Sequence, residues 1–167
     1  MFVRPLLDVS RADVEDYLKV KKTPFCTDAT NHQTKYERNK VRLQLLPLMA
    51  NGYNPQIIKA LSDLASTAGE DYDFIELHAR KQFDKIVITS KKKVKLDLKG
   101  VKRQHPAILR LIFRQMVESL TNDPSALTFE HIRALADLAS CDGRGTVDLP
   151  HHLKAVKTQG SLELYYA

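Results

Sequence analysis

Residues 54–86 read NPQIIKALSDLASTAGEDYDFIELHARKQFDKI, and their periodicity decides how the rest of the chain divides. Asn54 can cap a helix, and Pro55 is tolerated in a first turn, where its missing N–H is no loss. Ile57, Ile58, Leu61, Leu64, Ala65, Ala68, Tyr72, Ile75, Leu77, Ala79 and Phe83 then recur at three- and four-residue spacing to about Lys85, interrupted only by Gly69. A helix of this length connects two units. The residues before it are helical and loop-rich; those after it mix strands with helices.

Downstream, Ile86-Val87-Ile88 and Val94-Lys95-Leu96-Asp97-Leu98 have strand character and pair as a hairpin through Ser90 to Lys93. Pro106 starts an apolar helix carrying Ile108, Leu111, Ile112 and Met116, and Thr128 caps another that runs through Ile132, Leu135 and Leu138 to Ser140. The tail alternates in two or three short strands separated by Pro150 and Gly160. Upstream, Ser10 and Asp13 form a capping box for a helix to Val20, preceded by an extended Arg4-Pro5-Leu6-Leu7. Thr23 to Lys35 has the composition of a loop. Tyr36 to Ala50 is helical, with Pro47 loosening its last turn and Asn51-Gly52 stopping it. The expected class is α+β, mostly α.

The 167 residues carry 26 Lys+Arg against 20 Asp+Glu, a net charge of +6, with 6 Gly and 7 Pro. That composition excludes collagen-like and low-complexity chains. No apolar run exceeds four residues, far short of the roughly 20 that cross a bilayer, so no membrane partner is expected. Cys26 and Cys141 have no CxxC spacing, and Met1-Phe2-Val3-Arg4 is not followed by an apolar leader, which points to a reducing cytoplasm. The basic charge is clustered. Lys91 to Arg114 holds nine basic residues and one acid, and Lys19 to Arg42 seven against two, leaving the remainder net acidic. Such clustering is the footprint of a polyanion binder, and equally of a solvated surface.

Catalytic signatures are sparse. There is no GxGxxG, GxxxxGK[ST] or Ser-Gly-Gly loop to cradle phosphates, and the histidines, His151 and His152 adjacent and the other four scattered, give no zinc-site spacing, so no metal site is expected. Cys26, beside Phe25, reads as a small buried side chain rather than a nucleophile. The informative patch is Asp28-Ala29-Thr30-Asn31 with Tyr36-Glu37-Arg38-Asn39-Lys40-Val41-Arg42. Arg38 and Arg42 are four apart on one helical face, where two guanidinium groups could clamp phosphate oxygens; Asp28 could orient one, while Asn31 and Asn39 fix the loop backbone. Alternatively, Asp28 and Asn31 organise a turn and both arginines are solvated.

Arg4-Pro5-Leu6-Leu7, the helix ending in Tyr17-Leu18, Pro24-Phe25, Asp28-x-Thr30-Asn31, Tyr36-x-Arg38-Asn39-x-x-Arg42 and Leu46-Pro47 occur in an order that resembles the tRNA(Ile)-lysidine synthetase family. The similarity continues through His105-Pro106-Ala107-Ile108 and Ile132-Arg133-Ala134-Leu135 to Gly145-Thr146-Val147-Asp148-Leu149-Pro150. The resemblance implies a ligase related to N-type ATP pyrophosphatases. Such enzymes use ATP, with Mg2+, to adenylate the wobble cytidine of a CAU-anticodon tRNA(Ile), after which L-lysine displaces AMP to give lysidine. Family members carry a Ser-Gly-Gly loop in a Rossmann-like domain upstream of the Arg-Pro-Leu-Leu block. These residues contain none.

The resemblance therefore implies that residues 1–53 form the helical end of a Rossmann-like catalytic domain, 54–86 a linking helix and 87–167 a small α+β tRNA-binding domain. The chain is expected to be a portion of the enzyme, with a piece of the full protein favoured over the alternative of a truncated gene product that has only a binding role, and in either case inactive alone and holding no ATP by itself. Asp28, Asn31, Arg38, Asn39 and Arg42 would border the active-site cleft and touch phosphates. Lys91, Lys92, Lys93, Lys95, Lys99, Lys102 and Arg103 would contact tRNA phosphates. An Arg4 to Leu7 strand without its sheet predicts local disorder or self-association.

The rival reading is a protein-interaction module in which the long helix pairs with a partner to form a homodimer. A DNA-binding helix-turn-helix between Ala107 and Ser140 ranks last, because Thr121 to Thr128 is too long for the turn.

Overall fold

The computed structural model describes every residue except Met1, Phe2, Arg4, Leu7, Asp8, Thr27, Asp28 and Pro124, and the side chains of Ala29 and His32. The chain divides into two compact units, Met1–Ser62 and Asp63–Ala167. The division falls inside the long helix, which spans Ile57–Ile86 over 30 residues. Its start matches the sequence reading in mechanism but is offset by a turn: Gln56 N–H donates to Asn54 Oδ1 at 2.9 Å and Ile57 N–H to the Asn54 carbonyl at 3.0 Å.

In the first unit, α1 (Arg11–Val20) begins with the expected capping box, in which Ser10 and Asp13 each bond the other's backbone N–H. Pro5 and Leu6 lie in a turn rather than the expected extended segment, with Val9 N–H reaching back to Leu6 O at 3.3 Å; Arg4 and Leu7 fall outside the described residues. Among the described residues this unit has no strand for an extended segment to pair with. A 3₁₀ turn at Ala29–His32 interrupts the loop.

The helix expected from Tyr36 is divided into α2 (Glu37–Lys40), a π-helical turn (Val41–Leu45) and α3 (Leu46–Gly52). The loosening therefore comes before Pro47, not in the last turn. Pro47 has no N–H, and its ring would crowd the Leu43 carbonyl; widening the preceding turn, with Leu46 N–H bonded to Val41 O, relieves that clash. Gly52 is the last helical residue, and Tyr53 caps the end.

In the second unit the long helix, α4, leads into β1 (Val87–Ser90) and β2 (Lys93–Asp97), which pair antiparallel from Val87↔Leu96 to Ser90↔Lys93, the hairpin the alternation predicts. A short helix absent from the sequence reading, α5 (Leu98–Val101), follows, with Asp97 Oδ1 accepting from Lys99 N–H at 3.0 Å. Then come α6 (Pro106–Thr121), α7 (Phe129–Ser140), β3 (Gly145–Leu149), β4 (Leu153–Lys157) and β5 (Ser161–Tyr166). His105 caps α6 and Thr128 caps α7. Pro150, His151 and His152 turn β3 into β4 between the paired Leu149 and Leu153, with Leu153 N–H donating to Pro150 O at 3.3 Å and both histidines in the left-handed region at φ 60° and 57°.

The sheet is antiparallel throughout, in the order β1-β2-β5-β4-β3. Val94, Leu96, Leu162, Leu164, Leu153 and Ala155 are buried on one face, in one core with Ile112, Phe113 and Met116 of α6 and Leu135 of α7. Fully burying a side chain of this size contributes about 1.5–3 kcal/mol. The alternate positions Lys93, Lys95, Glu163 and Tyr165 stand on the other face, as expected of an antiparallel sheet packed on one side. Among the described residues, no helix is long and apolar enough to cross a membrane.

Candidate nucleic-acid interface

Asn39 organises the first unit's candidate patch. It is the buried member, and its Nδ2 donates to the carbonyls of Thr30 (3.0 Å) and Gln33 (2.8 Å), tying α2 to the loop before it. Asn31 lies half-buried within the 3₁₀ turn that this bond holds. Arg38 is exposed, its guanidinium 6.0 Å from the Tyr36 ring, over which Lys35 also lies at 5.1 Å. Arg42 lies in the π-helical turn and lines a shallow recess with Arg11, Glu15, Phe25 and Cys26. Arg38 is not part of that recess. Asp28 lies outside the described residues. Cys26 is exposed, contrary to the buried side chain expected, because among the described residues of this unit no apolar side chain is buried to pack against it.

The predicted lysines of the second unit fall in two settings. On the open face of the sheet, Lys93 Nζ lies 2.6 Å and Lys95 Nζ 3.6 Å from the two oxygens of Glu163. The registers Lys95↔Glu163 and Lys93↔Tyr165 bring these side chains onto one patch. The hydrogen bond from Lys93 lowers the Glu163 carboxyl below its ordinary range; burial opposes this, and the charges of Lys93 and Lys95 add to it. Lys91 and Lys92 form the exposed turn of the hairpin.

Lys99 and Lys102 are exposed on and just after α5 and face a different cleft, while exposed Arg103 is not among that cleft's lining residues. The cleft is shared with Arg144 and Lys157, two cations the sequence reading passed over. Lys157 left one signal: it has the same strand parity as the inward-facing Leu153 and Ala155. It is buried, and its Nζ donates to the carbonyls of Ala139 (3.0 Å) and Cys141 at the end of α7. The oxygen ligands that Mg2+ requires are not gathered here: among the described residues no group of three or more His, Cys, Asp or Glu is placed to hold an ion.

A PP-loop domain family model matches residues 1–49, all within the first unit. Curated tRNA(Ile)-lysidine synthases match far more of the chain. The protein from Caldanaerobacter subterraneus subsp. tengcongensis is 29% identical over 160 residues, covering 96% of this chain and 34% of that protein. The Clostridium acetobutylicum protein is 29% identical over 161 residues, 96% of this chain and 35% of its own length. That of Clostridium tetani is 25% identical over 166 residues, 99% of this chain and 35% of its own. Along nearly its whole length the chain is similar to tRNA(Ile)-lysidine synthases. It spans about a third of the length of the relatives it matches, and the resemblance runs through both units, well past the PP-loop match.

Proposed function

We propose that the chain is a portion of a cytoplasmic tRNA(Ile)-lysidine synthase and that its own contribution is tRNA binding. The whole enzyme would adenylate the wobble cytidine of CAU-anticodon tRNA(Ile) with ATP and Mg2+ and pass it to L-lysine with loss of AMP. Residues 1–53 would be the end of a Rossmann-like catalytic domain, 54–86 the linking helix and 87–167 the tRNA-binding domain. Asp28, Asn31, Arg38 and Arg42 would border the catalytic cleft, with Asn39 holding the loop that carries Asn31. Lys91, Lys92, Lys93, Lys95, Lys99, Lys102 and Arg103 would meet tRNA phosphates.

The observation that carries this reading is the pairing of similarity along nearly the whole chain with a second unit that has its own core and clusters nine basic residues against one acid between Lys91 and Arg114. The exposed apolar side chains of the first unit, among them Leu6, Tyr17, Phe25 and Leu48, support a catalytic surface completed elsewhere. Alone, the chain is expected to bind unmodified CAU-anticodon tRNA(Ile) with a steep salt dependence and to incorporate no lysine. Binding measured over a salt series tests the first statement and a radiolabelled-lysine assay the second. Salt-independent or absent binding counts against the proposal, as does lysine incorporation.

One observation favours the alternative of a dimerisation module: Ile58, Leu61, Leu64, Phe74 and Leu77 are all exposed along α4. Sedimentation equilibrium separates the two readings, since a tight dimer that ignores tRNA favours the second.

A further inference from the structure

Three segments of the second unit enclose a cleft of about 460 Å3 whose charged wall is almost entirely cationic. Lys99 and Lys102 line it from α5 and the residues just after it, Arg144 from the α7–β3 turn and Lys157 from the end of β4; Asp142 is the one carboxylate among the lining residues. The segments are held in place locally. Leu98 N–H donates to Gly160 O at 3.1 Å, which ties α5 to the β4–β5 turn. Gly143, at φ 93°, turns the chain ahead of Arg144 through a conformation that side chains rarely adopt.

The electrostatic state of this wall sets it apart from Lys93 and Lys95 of the hairpin. Among the described residues, none of the four cations lies within ion-pair distance of a carboxylate. Lys157 is buried against the Ala139 and Cys141 carbonyls with the Cys141 sulfur at 4.0 Å, so its charge is solvated by dipoles but not neutralised. An anion entering the cleft would complete that neutralisation. A phosphate arriving at Lys93 or Lys95 must compete instead with Glu163, which both already contact.

We propose that this cleft is the principal phosphate-binding site of the second unit and that it takes backbone phosphates of RNA. Lys99, Lys102 and Arg144 make the contacts, and Lys157 is a positioning cation that anchors the turn and biases the cleft toward anions. The proposal rests on the tRNA-binding reading above and changes its weighting, because the hairpin lysines become secondary and Arg144 joins the surface.

The test uses the 167-residue chain, labelled unmodified tRNA(Ile) and a salt series, and compares Lys99→Ala/Lys102→Ala/Arg144→Ala with Lys91→Ala/Lys92→Ala/Lys93→Ala/Lys95→Ala. The cleft variant is expected to lose on the order of tenfold in affinity at low salt, with the log–log salt slope flattened by about two to three. The hairpin variant, though it removes one more charge, is expected to lose less. Thermal unfolding checks that both variants remain folded, and the single exposed change Arg144→Glu stands in if the triple does not. Unchanged binding by the cleft variant, or a larger loss in the hairpin variant, overturns the cleft assignment alone. Absence of tRNA binding by the unmutated chain overturns the tRNA reading and this site with it. Inorganic pyrophosphate, at constant ionic strength, should displace tRNA only weakly; pyrophosphate binding that needs the cleft but leaves tRNA bound would reassign it to a small anion.

Discussion

Among the described residues of Met1–Ser62 the one buried side chain is Asn39, whereas Asp63–Ala167 encloses twenty-one buried apolar side chains in one core. Both units follow the same local rules: a capping box starts α1 as one starts α7, and apolar residues recur at helical spacing in each. They differ in what the apolar faces meet. In the second unit α6 and α7 close over a sheet. In the first, α1 buries no residue at all and α3 leaves Leu48 in solvent, so the segment is held by caps, turns and the Asn39 amide. Periodicity and capping create elements; burial against a partner makes them stable.

The largest test of that contrast is a matched pair of truncations. Phe113 is fully buried and Tyr17 is 62% exposed. Phe113→Ala is expected to cost about 3–5 kcal/mol, a large share of what a domain of this size possesses. Tyr17→Ala is expected to stay within about 0.5 kcal/mol. Urea unfolding followed by far-ultraviolet circular dichroism measures both, and comparable losses would erase the distinction between the units.

Polar groups extend the comparison at smaller magnitude. Lys157→Ala deprives the Ala139 and Cys141 carbonyls of their donor at the end of α7, an expected cost of about 1–3 kcal/mol; Lys157→Met, which keeps the stem, separates the lost bonds from lost packing. Asn39→Asp replaces a donor with an acceptor facing the Thr30 and Gln33 carbonyls, and about 1–2 kcal/mol of local stability is expected to go. Hydrogen exchange should then quicken around residues 30–40 while the second unit's melting stays put. A shift in that melting would mean the two units are coupled more tightly than their interiors suggest.

How much of this was legible in the sequence depended on the range of the interaction. The Ser10 and Thr128 caps, the α4 register, the β1–β2 hairpin and the three tail strands all rest on residues a few positions apart, and each was readable to within a turn. The π-helical turn before Pro47 was misplaced because proline acts on the carbonyl four residues back. Turn structure at Pro5 and Leu6 was missed because the residue pattern does not say whether a neighbouring strand exists. Basic clustering was visible between Lys91 and Arg103, but its division was not. Glu163 lies far along the chain from Lys93 and Lys95, and only sheet register pairs them; Arg144 and Lys157 join Lys99 through the α7–β3 turn and the end of β4, which local spacing does not encode.

Glu163→Gln addresses that division with the smallest expected effect. The native carboxyl sits below its ordinary range, chiefly through the hydrogen bond from Lys93, whereas in the unfolded chain it titrates normally. The ion pair therefore adds stability at pH values above the unfolded carboxylate range and loses it as pH falls through the lowered native value. With both lysines about half exposed, the substitution is expected to cost about 0.5–1 kcal/mol at neutral pH, and the gap from the unmutated chain should close in acid. A gap that persists at low pH would assign the effect to packing. The same change removes the competitor for Lys93 and Lys95, so tRNA binding should become modestly tighter and its salt dependence steeper, by less than the cleft substitutions flatten it. A steepening as large as that loss would mean that Glu163 masks the main RNA surface, and the hairpin would displace the cleft as its centre.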